Sequence, residues 1–116
     1  MKGDRLFKAS IVSSLSVDQQ KLLYITEGWC DGDAPTDRLA AINAGSFLVA
    51  AAVTHDGTLI GMGRMISDGA GDGYIQDVVV RPDWRGCGVG AALVSLLSDE
   101  AVRRGVRWVG LVAAPG

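Results

Sequence analysis

The feature that most constrains the fold of this 116-residue chain is the run from Tyr74 to Leu93. Ile75 and Val78 to Val80 are β-branched and nearly continuous, the pattern of a strand covered on both faces. Pro82 ends that strand because it brings no N–H to a ladder. After Trp84, Gly86, Gly88 and Gly90 alternate with Cys87 and Val89, and small and apolar residues then recur at helical spacing. The segment therefore reads as a buried strand, a tight turn and a glycine-rich loop that opens straight into a helix.

Such a loop has chemical consequences. Glycines let a backbone approach a ligand closely, and the free N–H groups of a helix's first turn point at whatever sits there. With the helix dipole they form an anion site suited to a phosphate or pyrophosphate, and Arg85 adds a positive charge at the entrance. Any one of these glycines could simply let a strand meet a helix; the whole string behind Arg85 favours phosphate binding. Two other phosphate loops do not match. The Walker A pattern needs a Lys and a Ser or Thr after its last glycine, where Ala91 and Ala92 stand here. The dinucleotide fingerprint runs G-x-G-x-x-G near the start of a βαβ series, whereas these glycines run G-x-G-x-G late in the chain.

The string Val80-Arg81-Pro82-Asp83-Trp84-Arg85-Gly86-Cys87-Gly88-Val89-Gly90 resembles the acetyl-CoA signature of the GCN5-related N-acetyltransferases, V-x-P-x-x-[RQ]-G-x-G-[IV]-G, at every defined position. The likeness extends less sharply from about Phe47 to Pro115, and weakly toward the N-terminus.

The remaining chain fits one small α/β domain, residues 1–116. A hydrophobic fraction of 48% suffices for a core, and with 21% charged residues and a mean hydropathy of +0.25 the chain is not of the disordered class. A net charge of −2 suggests neither nucleic acid nor an acidic membrane as partner. No apolar run approaches a membrane span, no signal-peptide pattern opens the chain, and a cytoplasmic location is expected. Cys30 and Cys87 make neither a disulfide framework nor a zinc site, and no metal is expected.

In order, Leu6 to Leu15 reads as a first strand. Ser16-Val17-Asp18 caps a helix running through Gln19, Leu22, Leu23 and Ile25 to about Trp29. A loop from Cys30 to Thr36 precedes a short helix with Leu39, Ala40 and Ile42 as its apolar face, ended by Gly45. Phe47–Val53 and Leu59–Ile66 form a hairpin across Asp56-Gly57. His55, the only histidine, reads as a solvated turn residue at its tip. Ser67 to Gly73 links to the strand at Tyr74. Past the loop, Val89, Leu93, Leu96, Leu97 and Ala101 or Val102 mark an amphipathic helix with Gly105 at its C′ position. Val106 to Ala114 is a last strand, parallel to the one before through a right-handed crossover. The expected architecture is a mixed, mostly antiparallel sheet flanked by helices on both faces, the acyl-CoA N-acyltransferase fold that the resemblance implies.

That resemblance also implies a mechanism. The strand before the loop splays from the next one and leaves a wedge for the pantetheine arm. Val78, Val79 and Val80 then bond the arm through backbone groups, while Arg85, Gly86, Cys87, Gly88, Val89, Gly90 and Ala91 hold the pyrophosphate of acetyl-CoA, the acetyl donor. The thioester falls near the gap between Val79 and Val112 to Ala114. A primary amine attacks only when neutral, so a base must take its proton, directly or through water; backbone N–H groups can stabilise the oxyanion. Asp77 is the carboxylate candidate for that role; the competing readings make it a solvated edge residue or the partner of Arg64. Glu27, Asp31, Asp33 and Asp37 lie where the first two helices shape the acceptor pocket. They could attract a cationic amine, but most read as solvated loop and capping residues. Cys87 reads as a small residue whose backbone matters.

Members of the family continue past the last strand with a helix and a hairpin, the helix carrying a tyrosine that serves as general acid. The sequence stops at Gly116, and its two tyrosines, Tyr24 and Tyr74, lie elsewhere. It therefore reads as a form lacking that C-terminal part, with a bare last strand through which copies could pair. Three functions are compatible: an acetyl-CoA-dependent N-acetyltransferase for a small-molecule or protein amine, a CoA-binding module without turnover, and a binder of another phosphate ligand.

Overall fold

In the computed structural model, which describes residues 5–112, five strands form one sheet in the order β1-β2-β3-β4-β5. These are β1 (Lys8–Val12), β2 (Leu48–Val53), β3 (Leu59–Ser67), β4 (Asp72–Val80) and β5 (Trp108–Leu111). The first four pair antiparallel, and β5 pairs with β4 in parallel. Helices α1 (Val17–Thr26) and α2 (Asp37–Gly45) cover one face, and α3 (Val89–Arg103) covers the other. The mixed, mostly antiparallel sheet with helices on both faces is thus present, as is the parallel pair across α3.

The sheet separates two cores. Val89, Leu93, Leu97 and Ala101 of α3 pack on Ala50, Ala52, Ile60, Met65 and Ile75. On the other side Leu23 and Tyr24 of α1 and Leu39 of α2 pack on Ala51, Leu59, Met62 and Val79. At the end of the expected α3 face, Ala101 is the buried member of the pair and Val102 is exposed. In α2, Leu39 is buried and Ala40 is exposed. Small residues at the centre of the sheet bring α3 close: a Cβ on Gly61 falls 2.8 Å from Val89 Cγ1, and one on Gly63 falls 3.1 Å from Leu97 Cδ1. A reciprocal amide pair, Gln20 with Asn43 at 3.1 and 2.7 Å, ties α1 to α2 in the otherwise apolar interior.

Helix ends follow local chemistry. The Ser16 hydroxyl accepts from Gln19 N–H at the start of α1. Gly105, with φ of +99°, ends α3 by bonding Val102 O while Val106 N–H bonds Ala101 O, the double bond pattern of a Schellman cap. Helix α1 stops at Thr26, earlier than the expected Trp29, because Gly28 forms the same cap: Gly28 N–H donates to Ile25 O and Trp29 N–H to Tyr24 O. The rings of Tyr24 and Trp29, 5.1 Å apart and edge to face, supply its apolar contact. Strand β1 is shorter than the expected Leu6 to Leu15, and β4 begins two residues before Tyr74.

Candidate active site

Strand β4 carries an irregularity at its centre. Arg64 pairs with Gln76 and Met62 with Val79, so Asp77 and Val78 together stand opposite Gly63. Such a two-against-one bulge bends a strand and re-aims side chains. Asp77 occupies it with φ of +56°, the one non-glycine positive φ among the described residues.

The bulge turns the Asp77 carboxylate toward α1 and α2. Its Oδ2 accepts from Tyr24 Oη at 2.8 Å and from Arg64 Nε at 2.7 Å. Pairing with Arg64, one of the competing readings of Asp77, is therefore present. Oδ1 has no partner among the described residues and stays available to a proton donor.

These groups line a cavity of about 510 Å³ with Lys21, Trp29, Arg38, Leu39 and Ile42. None of Glu27, Asp31, Asp33 and Asp37 lines it. Glu27 pairs instead with Arg85 at 2.9 Å, and the Asp31 carboxylate accepts from Asp33 N–H. Tyr74, near the start of β4, stacks edge to face on Trp108.

Tyr24 is the site residue that sequence reasoning missed. Burial and the bond to Asp77 push its phenol up to about 12 from 10.0, so it stays a donor at neutral pH. Between pH 10 and pH 12 the folded chain holds a proton that the unfolded chain has lost. The stabilisation is complete below about pH 10 and falls away as pH rises toward 12, up to about 3 kcal/mol in all. Urea midpoints measured across this range should fall with pH, and more shallowly in Tyr24→Phe; identical slopes would disprove the linkage.

At the other end of β4, Pro82–Trp84 form a single 3-10 turn, and the glycine loop leads into α3. Gly86 (φ +78°) and Gly88 (φ +84°) need the left-handed region that glycine reaches freely. A Cβ on either would project into open space. None of the N–H groups of Gly86, Cys87, Gly88, Val89, Gly90 and Ala91 has an acceptor among the described residues; the first bonded amide is that of Ala92, to Gly88 O. The first turn of α3 holds no acidic residue, which leaves its positive pole uncompensated. Cys87 turns its thiol into the α3 core. Arg85 stands at the entrance in a half-exposed ion pair with Glu27; surface pairs of this kind are worth about 0–1 kcal/mol, and an anion can displace them.

The wedge lies between these two features. The β4–β5 ladder runs from Asp72↔Trp108 to Ile75↔Leu111, and Val112 N–H donates to Ile75 O. Beyond it, Gln76 to Val80 have no partner on the β5 side among the described residues. Of the segment expected to border the thioester, Val112 is described and exposed, and Ala113 and Ala114 lie outside the described residues. The outer side of β5 carries no strand among the described residues. No described helix is long and apolar enough to cross a membrane.

Comparison with known proteins accords with this geometry. The family model described as "Acetyltransferase (GNAT) family" matches residues 14–115. A GNAT family protein of Streptococcus pneumoniae TIGR4 superposes with a TM-score of 0.76 at 19% identity, over 96% of this chain and 78% of that one. A probable acetyltransferase of unknown function from meticillin-resistant Staphylococcus aureus gives 0.78 at 21%, over 94% and 80%. The ribosomal-protein-alanine N-acetyltransferase of Brucella melitensis biovar Abortus 2308 gives 0.74 at 20%, over 95% and 82%. No curated protein matches. The structural likenesses show the fold, and the family match spans nearly the whole sequence: the chain belongs to the GNAT acetyltransferase family.

Proposed function

We propose that the chain binds acetyl-CoA at the loop from Arg85 to Ala91 and along Val78 to Val80, and transfers its acetyl group to a primary amine. The observation that carries this reading is the row of six unpartnered N–H groups at the head of α3, beside a strand released from its neighbour. Backbone donors around two positive-φ glycines match a pyrophosphate, and the edge of Gln76 to Val80 left unpaired on the β5 side matches the amide groups of a pantetheine arm.

The amine approaches from the cavity on the α1/α2 face and loses its proton to Asp77 Oδ1, directly or through a water. Its nitrogen lone pair then forms the new bond to the thioester carbonyl carbon, an N–H of the splayed strand stabilises the oxyanion, and the carbon–sulfur bond breaks. The attacking nitrogen sheds its surplus proton as the amide forms, and the thiolate takes up that proton and leaves. Tyr24 and Arg64, both donating to Oδ2, orient the carboxylate for this task.

Thiol release from acetyl-CoA with a panel of primary amines tests transfer. A binding module without turnover binds acetyl-CoA in calorimetry but releases no thiol with any amine. A binder of another phosphate ligand prefers other nucleotides to CoA in competition. Asp77→Asn should lower kcat about a hundredfold with acetyl-CoA affinity unchanged, the lower end of the range for a positioned proton acceptor. Asn tolerates the same backbone conformation, so the fold is preserved, and unchanged turnover would remove Asp77 from the mechanism.

A further inference from the structure

The charges around the acceptor cavity do not suit a simple cationic amine. Three cations, Lys21, Arg38 and Arg64, face one carboxylate, Asp77. Arg64 already neutralises that carboxylate through Nε, and its Nη1 lies 3.4 Å from the Ser46 hydroxyl. Nη2 has no partner among the described residues. The Lys21 ammonium donates to Gly32 O at 2.9 Å and to Ala34 O at 2.5 Å. These bonds pin the α1–α2 loop at the cavity wall but bring no countercharge. Arg38, in the first turn of α2, has neither an ion-pair nor a hydrogen-bond partner among the described residues. The cavity therefore carries two cations in excess of its carboxylate.

We infer that the acceptor is a small amine that also bears an oxyanion, a carboxylate or a phosphate, held by Arg38 while its amino group faces Asp77. This inference rests on the acetyl-transfer reading of the same cavity and narrows its substrate class. The guanidinium presents a planar fork of donors that matches either oxyanion in bidentate fashion. Trp29, Leu39 and Ile42 form the apolar wall for the carbon skeleton between the two charges. A volume of about 510 Å³ suits a small molecule. A diamine would bring a second positive charge to a site that already has too many.

Calorimetric titration with four amines of one chain length tests the inference, with and without saturating coenzyme A. The probes are hexylamine, hexamethylenediamine, ε-aminocaproate and aminohexyl phosphate. At least one anion-bearing probe should bind tenfold or more tighter than hexylamine. The comparison of carboxylate with phosphate shows which oxyanion is preferred. This advantage should disappear in Arg38→Gln and persist in part in Arg38→Lys, with thermal melts confirming that both variants fold. Tightest binding of hexamethylenediamine, equal binding of all four probes, no detectable binding of either anionic probe, or an advantage that survives Arg38→Gln each overturns it. Thiol release is read separately. Absence of release alongside an intact anion preference removes acetyl transfer alone, and release from hexylamine without any preference removes the anion site alone.

Discussion

Gly88→Val should weaken acetyl-CoA binding at least a hundredfold in a calorimetric titration. Two effects combine at this position. The φ of +84° is one that β-branched residues essentially never adopt, at about 1–2 kcal/mol for an ordinary L residue. The new side chain also projects into open space at the middle of a loop whose six N–H groups are free. Gly57→Val separates the two. Gly57 lies in the β2–β3 hairpin with φ of +86° and equally open surroundings, so Val there imposes the same backbone strain far from the loop. Similar melting temperatures for the two variants, with binding lost only in Gly88→Val, locate the cofactor at the loop. Equal affinities in both would remove the loop from the binding site.

Gly61→Val should bring the chain close to unfolding. A Cβ at this position meets Val89 Cγ1 at 2.8 Å, Val79 O at 3.2 Å and Leu93 Cδ1 at 3.3 Å. The carbonyl belongs to β4 and cannot swing aside, and Val89 is the first residue of α3. Relief therefore requires the helix to lift off the sheet, and the glycine loop moves with it. Overpacking a dense core costs about 1–3 kcal/mol and sometimes more, and Val adds two methyl groups beyond the clashing Cβ. A loss of about 3 kcal/mol or more is expected from a total that in small domains is roughly 5–15. The melting temperature should drop on the order of 15 °C, and the urea midpoint should fall with an unchanged slope. A shift of only a few degrees would mean that α3 does not sit against β3 at this distance.

Local signals carried much of the architecture into the sequence. The strand-to-loop-to-helix run, the Asp-Gly hairpin, the Gly105 cap and the parallel return of β5 depend on neighbouring residues, and each is present, although β5 begins at Trp108 rather than at the expected Val106. Gly28 shows the limit of periodicity. Helical spacing continues through it, and only the folded backbone, with its two cap bonds and the Tyr24–Trp29 ring contact, reveals that it caps α1. The bulge was invisible for a related reason: an extra residue in a strand leaves the composition of Gln76 to Val80 unchanged and alters only what stands opposite. The cavity depended on long-range assembly, since Lys21, Arg38, Arg64 and Asp77 come from four separate elements or their edges. The acids of the first two helices, most of which read as solvated loop and capping residues, do not line that pocket. The basic residues on the same segments, Lys21 and Arg38, reach the cavity, while Glu27 faces Arg85.

The left-handed backbone at Asp77 limits how this position can change over generations. Of the residues with side chains, Asp and Asn enter that conformation most readily, because their short polar arms bond locally. Glu carries the same carboxylate one methylene further out and has no such help, while branched residues are penalised outright. Under the proposed mechanism position 77 is thus filtered twice, once by the geometry of the chain and once by the need for a carboxylate, and Asp alone passes both filters. The replacement that best preserves the backbone, Asn, exchanges one oxygen for an amide nitrogen. A lineage could in this way lose the reaction in a single step and keep the folded domain, at the cost of the charge that pairs with Arg64.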